Sequence, residues 1–187
     1  MSTGNIIVIS GPSGVGKTTL YKKLLIEFKD KIVFSVSATT RKPRHNERNG
    51  TDYYFLEEEE FLNKIEKKEF VEWAKVYHHY YGTLETEIER IIMAAKNCLL
   101  DIDIHGGMNI KKIFPSSRLI FILPPTIEEL KKRIIGRNSE NSESFNTRID
   151  RALKELEYSD KYDYCIINDD LERAYKELVL IITDILK

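Results

Sequence analysis

Residues 11–18 read GPSGVGKT, and this stretch decides the fold. The aliphatic run IIVI at residues 6–9 leads into it, and a segment with leucines at Leu20 and Leu24 follows it. A strand, a glycine-rich loop and a helix in this order form a P-loop, in which backbone N–H groups and the positive end of the helix bind phosphate. The stretch therefore predicts a binding site for a nucleoside triphosphate.

Each part of this loop has a role in binding the triphosphate. Glycines allow backbone angles that direct successive N–H groups inward, so the polyphosphate is bound mainly by the backbone. We expect Lys17 to reach the β and γ phosphates and the Thr18 hydroxyl to ligate Mg²⁺. The nucleotide-binding residues expected here are Gly11, Pro12, Ser13, Gly14, Val15, Gly16, Lys17 and Thr18. The motif indicates the phosphate donor and does not indicate the acceptor.

Beyond the loop, apolar runs rich in β-branched residues alternate with stretches of helical spacing. The predicted strands cover residues 6–9, 32–36, 98–102, 119–123 and 164–167. The predicted helices cover residues 18–28, 84–96, 127–136, 145–158 and 171–186. This alternation predicts an α/β fold of three layers, in which a parallel sheet is flanked by helices.

Two segments interrupt the alternation. Residues 37–83 are polar and aromatic, and residues 138–144, NSENSES, contain no apolar residue. We expect both to be mobile appendages at the carboxyl ends of strands, where they can close over a ligand. The aromatic residues expected to form the core of the first segment are Phe55, Phe61, Phe70 and Trp73.

Composition excludes several classes of protein. The 187 residues are enough for one domain, and the net charge of -1 gives no global attraction to nucleic acid or to an anionic membrane. The apolar runs are too short for a signal peptide or a membrane span. Cys98 and Cys165 each lie in an apolar run, so we expect both to be buried and reduced in a cytoplasmic protein.

Short motifs along the chain resemble those of guanylate kinases. They are FSVSATTRKPR at residues 34–44, DYYF at 52–55, EFVEW at 69–73, YYGT at 80–83, LDID at 100–103 and INDD at 167–170. The resemblance covers essentially the whole chain, in order. It implies that the γ-phosphoryl group of MgATP is transferred to GMP, with ATP and Mg²⁺ as the bound cofactors and GMP as the partner molecule.

The resemblance also implies an organisation in three parts. The core comprises residues 1–36, 84–135 and 149–187, the GMP-binding subdomain is about residues 37–83, and the lid is about residues 136–148. We expect a monomer or a weak homo-oligomer that binds neither nucleic acid nor membrane.

The side chains of the predicted acceptor site match the hydrogen-bonding groups of guanine. Guanine presents adjacent donors at N1 and N2, which suit the carboxylates of Glu72 and Asp103. Its O6 suits a hydroxyl donor, which Ser37 or Thr83 supplies. Adenine has no donor at N1 and would face a buried carboxylate with an acceptor, a mismatch that costs about 1–3 kcal/mol. These residues therefore favour guanine.

Arginines are expected to handle the phosphates, because two polyanions must approach each other. By resemblance, the phosphate of GMP is bound by Arg41, Arg44, Tyr53 and Tyr81. The resemblance places Arg133 near the adenine and Arg137 and Arg148 on the phosphates, although a surface charge on a helix is the alternative for Arg133. The expected catalytic residues are Lys17, Arg41, Arg137 and Arg148.

Two polar positions at strand ends complete the predicted site. Asn168 is an adenine contact by resemblance, or else Asn168 or Asp169 caps the following helix. Asp101 and Asp103 are two residues apart, so we expect them to face the nucleotides together, with Asp101 near Mg²⁺ through water.

Two positions depart from the family pattern, and two other functions stay open. His105 stands where a glutamine is common, and Asn138 stands where a glycine is common. The alternatives are a catalytically inactive guanylate-kinase-like interaction module and a nucleoside monophosphate kinase with another acceptor. The intact Lys17 and Thr18 argue against the first alternative, and the pairing of Glu72 with Asp103 argues against the second.

Overall fold

The structure is a computed structural model that describes residues 4–76, 78–136 and 145–187. Its strands are β1 Ile6–Ser10, β2 Ile32–Phe34, β3 Ala38–Thr39, β4 Tyr54–Phe55, β5 Phe70–Val76, β6 His79–Leu84, β7 Asn97–Asp101, β8 Arg118–Leu123 and β9 Tyr164–Ile167. Its helices are α1 Lys17–Glu27, α2 Glu58–Glu66, α3 Glu85–Met93, α4 Ile104–Ile113, α5 Ile127–Gly136, α6 Phe145–Leu156 and α7 Leu171–Ile185. In these described ranges, no helix combines the length and apolar character needed to cross a membrane.

The larger sheet has the strand order β2-β7-β1-β8-β9, and all of its pairings are parallel. Strand β1 lies at its centre and is buried along its whole length. Ile7 and Ile9 point into a core shared with α1, α5, α6 and α7, whereas Ile6 and Val8 point into a core shared with α3 and α4. Both faces of the sheet are therefore covered by helices, which confirms the predicted three-layer α/β fold.

The interrupting segment after β2 forms a second, mixed sheet with the strand order β4-β3-β6-β5. Helix α2 covers it, with Phe61 stacked on Phe70 at 4.3 Å between ring centroids. These two rings and Ala38 form a small separate core. The prediction that Trp73 belongs to this core is wrong, because Trp73 is 46% exposed on an outward-facing position of β5.

Helix α4 was not predicted, because its sequence contains Gly106 and Gly107, which disfavour helices. Asp103 caps the helix by accepting a 2.8 Å hydrogen bond from the backbone N–H of Gly106. A Cβ atom at Gly106 would stand 2.9 Å from Glu72 Oε2, so the glycine lets α4 pack closely against β5. Gly106 therefore lowers the intrinsic helix propensity of α4 but allows the helix to approach Glu72 closely.

The two cysteines lie in different surroundings. Cys98 is buried, as expected, but Cys165 is exposed, so the prediction that it is a core residue is wrong. Strand β9 alternates, with Ile166 buried and its neighbours on either side facing outward. The polar segment at residues 138–144 lies outside the described residues.

Candidate active site

The P-loop joins the buried strand β1 to helix α1. Gly11, Gly14 and Gly16 have φ angles of 142°, 93° and 94°, which residues with a side chain rarely adopt. Lys17 Nζ folds back over the loop and donates hydrogen bonds of 2.5 Å to Gly11 O and 3.3 Å to Pro12 O. The loop thus has the backbone shape that phosphate binding needs, with its lysine at the centre.

Asn168 braces this loop from the end of β9. Its Nδ2 donates a 2.6 Å hydrogen bond to Val15 O, and the side chain is buried. Arg133 Nη1 donates a 3.0 Å hydrogen bond to Asn168 O and is held by Glu129 through a 3.0 Å ion pair. The residues predicted at the adenine therefore also support the P-loop.

The alternative capping role for this segment is wrong. The N-cap of α7 is Asp170, whose carboxylate accepts a 2.9 Å hydrogen bond from the backbone N–H of Arg173. Asp169 accepts from the backbone N–H of Asp170 and pairs with the Arg173 side chain. Neither Asn168 nor Asp169 is the capping residue.

A cavity of about 360 Å³ opens above the P-loop. Its lining comprises Gly11, Ser13, Gly14, Gly16, Lys17, Thr18, Val76, Asp101, Ile102, Asp103, Arg148, Arg151, Ala152 and Glu155. We call it the donor cavity. It brings Arg148, which was predicted to contact phosphate, to the same space as Lys17 and Thr18.

Arg151 and Glu155 also line the donor cavity, and neither was predicted from the sequence. Arg151 Nε donates to Glu155 Oε1 at 3.1 Å, and the Glu155 side chain is only 14% exposed. Burial raises the pKa of Glu155, although the neighbouring Arg151 and Lys17 lower it. Helical spacing could have found Arg151, since it lies one turn after Arg148 on the same face.

A second cavity of about 180 Å³ lies between the two sheets. Its lining comprises Ser37, Tyr53, Glu72, Ala74, Val76, Tyr81, Gly82, Asp101, Ile102 and Asp103. We call it the acceptor cavity. It shares Val76, Asp101, Ile102 and Asp103 with the donor cavity, so the two cavities meet between the end of β5 and the carboxyl end of β7.

Glu72 is a buried carboxylate in the acceptor cavity. Burial raises its pKa to about 7, with a smaller contribution from Asp103, while the hydrogen bond from Thr83 opposes the shift. The Thr83 hydroxyl donates to Glu72 Oε1 at 2.6 Å and is itself fully buried. Thr83 therefore orients Glu72.

The two aspartates differ in their surroundings. Asp101 ends β7 opposite Ile9, and burial raises its pKa while Lys17 lowers it. Asp103 has one carboxylate oxygen engaged with α4, as described above. Both face the junction of the two cavities, as their spacing predicted.

Arg41 and Arg44 lie on the loop between β3 and β4, and neither is among the described residues that line the acceptor cavity. The Arg41 guanidinium lies 5.3 Å from the ring centroid of Tyr53, which lines the cavity. Arg44 is exposed and is not among the lining residues in the described part of the chain. Tyr53 and Tyr81 meet edge to face at 6.1 Å. Arg137, another predicted phosphate ligand, lies outside the described residues.

Fold and site together define a class of protein, the P-loop nucleotide-binding proteins of α/β fold, here with a second polar cavity beside the phosphate-binding loop. A family model described as guanylate kinase matches residues 3–185. The chain belongs to the guanylate kinase family, which confirms the resemblance found in its sequence motifs.

Individual relatives agree with this assignment. The guanylate kinase of Fusobacterium nucleatum is 46% identical over 182 residues, which cover 97% of each chain. That of Clostridium perfringens strain SM101 is 49% identical over 179 residues, covering 96% of this chain and 82% of the relative. A crystal structure of guanylate kinase from Anaplasma phagocytophilum has a TM-score of 0.76 and 32% identity, covering 98% of this chain and 87% of that chain.

A more distant likeness shows the fold alone. The SH3-kinase fragment of tight junction protein 3 has a TM-score of 0.56 and 14% identity, covering 98% of this chain and 58% of that chain. The fold is therefore shared by proteins of very different sequence, and the fold alone does not determine function.

Proposed function

We propose that this chain is an active guanylate kinase, which transfers the γ-phosphoryl group of MgATP to GMP and yields ADP and GDP. The observation that carries the proposal is the junction of the donor and acceptor cavities at Asp101, Ile102 and Asp103. A direct transfer needs two nucleotides bound side by side, with their phosphates meeting in a site shielded from water.

On the donor side, the P-loop backbone and Lys17 bind the β and γ phosphates. The Thr18 hydroxyl and the Asp101 carboxylate line the same cavity and are oxygen ligands of the kind that Mg²⁺ prefers, with Asp101 acting through water. When bound there, Mg²⁺ would supply positive charge to the phosphates of ATP. Arg133 and Asn168 lie at the adenine side of the loop.

On the acceptor side, Glu72 and Asp103 accept hydrogen bonds from the guanine. Ser37, which lines the cavity, donates to its O6, whereas Thr83 acts through Glu72 because its one O–H is buried and already donated to that carboxylate. Arg41, Arg44, Tyr53 and Tyr81 bind the phosphate of GMP. A general base is not needed, because the attacking phosphate oxygen is already ionised at neutral pH. Binding and orientation by these residues therefore supply most of the catalysis.

The remaining lysine and arginine roles concern the transferred group. Lys17, Arg41, Arg137 and Arg148 stabilise its charge at the transition state. Residues 136–148 act as the lid, residues 37–83 as the GMP-binding subdomain, and residues 1–36, 84–135 and 149–187 as the core. Closure of the lid excludes water and limits hydrolysis of ATP. The chain acts as a monomer or weak homo-oligomer in purine nucleotide metabolism in the cytoplasm.

The rival functions make different demands on the site. An inactive interaction module has no need of an ordered P-loop with Lys17 over its centre, yet that loop is complete and braced here. A kinase for another nucleoside monophosphate has no need of a buried carboxylate oriented by Thr83. Both features favour the guanylate kinase reaction.

A coupled assay of ADP release, with GMP, AMP, UMP and dTMP as acceptors, tests the proposal. We expect turnover with GMP and, for each other acceptor, a kcat/KM lower by about tenfold or more. Absence of turnover with GMP would overturn the proposed reaction, and equal efficiency with AMP would overturn the assignment of Glu72 and Asp103.

A further inference from the structure

The guanidinium of Arg41 is held by Glu47, a residue that has no role in the site as described so far. Arg41 Nη1 donates to Glu47 Oε2 at 2.8 Å, and Nη2 donates to Glu47 Oε1 at 2.9 Å. The two side chains are only 17% and 18% exposed. Two parallel hydrogen bonds between partly buried groups fix the orientation of the guanidinium plane, unlike a single exposed ion pair.

The donors of Arg41 can be counted. Arginine has five N–H groups, and the contacts to Glu47 and to Lys42 O, the latter at 2.8 Å, use three of them. Both N–H groups of Nη1 and one of Nη2 are engaged in this way. What these contacts leave is the edge formed by Nε–H and the second N–H of Nη2, which is the forked edge that binds two oxygens of a phosphate.

Three aromatic residues surround the guanidinium of Arg41 and set the position of that edge. The rings of Tyr53 and Phe55 lie 5.3 Å and 5.8 Å from Arg41 Cζ. The Tyr81 hydroxyl interacts with the guanidinium and contributes, after Glu47, to raising the pKa of Arg41. Tyr53 and Tyr81 both line the acceptor cavity, so the guanidinium lies against two residues of its wall, although Arg41 itself is not among the described lining residues.

Glu47 also fixes the backbone that carries the second arginine. Its Oε2 accepts a 2.8 Å hydrogen bond from the backbone N–H of Arg44, and its own N–H donates to Arg44 O at 3.0 Å. The Glu47 carboxylate therefore binds both the Arg41 side chain and the Arg44 backbone, and these contacts hold the loop from Arg41 to Glu47 together. This contact could not be predicted, because a six-residue separation within a loop has no periodicity that would indicate it.

We propose that Glu47 is a positioning residue for the acceptor phosphate, because it occupies one forked edge of Arg41 and so presents the other to the phosphate of GMP. The inference rests on the proposed function. A carboxylate near a phosphate site is repulsive in itself, and the arrangement is favourable only if the gain in orientation of Arg41 exceeds that repulsion. Glu47 acts through Arg41 and does not touch the substrate.

The test compares E47Q and E47D with the wild-type chain in steady-state kinetics with GMP and ATP. In E47Q an NH2 group replaces one of the two acceptor oxygens and cannot accept from Arg41, and the shorter E47D keeps the charge but cannot keep both contacts. We expect each to raise the KM for GMP by about tenfold while the KM for ATP changes less than about twofold. E69Q is the matched control, because it removes an ion pair with Lys64 in the same inserted segment, and it should leave both constants unchanged.

A double-mutant cycle separates positioning from a structural role. If Glu47 acts through Arg41, then E47Q should raise the KM for GMP by less than about twofold in an R41A background. An equal effect of E47Q with and without Arg41 would overturn the proposal, as would wild-type kinetics of both E47Q and E47D. A lowered KM in E47Q would mean that repulsion dominates, which also overturns it. Lack of GMP turnover by the wild-type chain would instead overturn the proposed function.

Should E47Q fail to fold, as judged by its thermal unfolding, the same comparison is made with E47D alone. Its charge is unaltered, so wild-type kinetics of folded E47D would show that the geometry of the pair is not needed and would overturn the proposal.

Discussion

The Thr83 hydroxyl donates a 2.6 Å hydrogen bond to Glu72 Oε1 inside the acceptor cavity. This is the stabilising contact of a carboxylate whose pKa burial raises to about 7. Glu72 therefore changes charge within the range of pH in which enzymes are assayed. Two consequences can be measured, one on binding and one on stability.

Binding of GMP should strengthen as the pH rises through 7. Only the ionised carboxylate can accept hydrogen bonds from guanine N1 and N2, and Glu72 is protonated below its pKa. We expect the affinity of GMP, measured by calorimetry, to fall by up to about tenfold per pH unit below that value. E72Q is the control, because any dependence that persists in it comes from the phosphate of GMP. Equal pH profiles for the two proteins would contradict the assignment.

Stability should respond in the opposite direction. The folded chain keeps the proton of Glu72 at pH values where the unfolded chain has lost it, between the ordinary pKa of 4.5 and the raised value of about 7. The contribution of Glu72 is thus most favourable below pH 4.5 and is lost as the pH rises through 7. We expect E72Q to be more stable than wild type at pH 8 by on the order of 3 kcal/mol, with little difference at pH 4.5. Urea unfolding at the two pH values would show whether the difference disappears in acid.

Lys17 should be needed for transfer but not for binding of the acceptor. Its amine lies over the P-loop in the donor cavity and is not among the residues that line the described acceptor cavity. We expect K17A to lower kcat by about a thousandfold or more, because a charge that stabilises the transition state is lost. GMP affinity, measured by calorimetry, should change less than about threefold. Loss of both properties would show that Lys17 has another role.

Much of this architecture could be predicted because local patterns in the sequence specify it. The apolar run before Gly11 and the glycine spacing specify a buried strand, a loop and a helix within about twenty residues. The helix that begins after Asp103 could not be predicted, since its two glycines are explained only by residues from other parts of the chain: Glu72 approaches Gly106, and the Tyr162 hydroxyl approaches Gly107. The prediction for Trp73 was wrong because alternation along β5 places this side chain on the outer face of the sheet.

The site shows the same division between local and distant information. The identity of Glu72, Asp103 and the P-loop residues came from motifs. The ties between Asn168 and Val15, or Arg41 and Glu47, depend on how distant elements and irregular loops pack, and neither has a repeating pattern. Arg151 is an intermediate case, because its spacing from Arg148 places it on the same helical face.

Asn168 should matter for ATP through the P-loop. Its Nδ2 is a buried donor to Val15 O, and a Cβ atom at Gly16 would collide with that nitrogen, so the amide fits closely against the loop. N168A removes the donor and leaves a buried carbonyl unpaired, at a cost of about 1–3 kcal/mol. We expect the KM for ATP to rise by about tenfold and the KM for GMP to stay within about twofold. N168D, which cannot donate, should be at least as impaired; an unaltered KM for ATP in both variants would exclude a supporting role.

Arg151 should assist the binding of ATP because of its partner. The Glu155 carboxylate lines the donor cavity with little exposure, so R151A leaves a buried negative charge facing the incoming phosphates. We expect R151A to raise the KM for ATP by about fivefold to tenfold, and K154A, an exposed lysine of the same helix, to have no effect. The double variant R151A/E155Q tests the reason, because removing the negative charge should restore part of the affinity for ATP. If E155Q gives no recovery, Arg151 acts by direct contact with the phosphates; if R151A itself behaves as wild type, the Arg151–Glu155 pair is only a surface contact of α6.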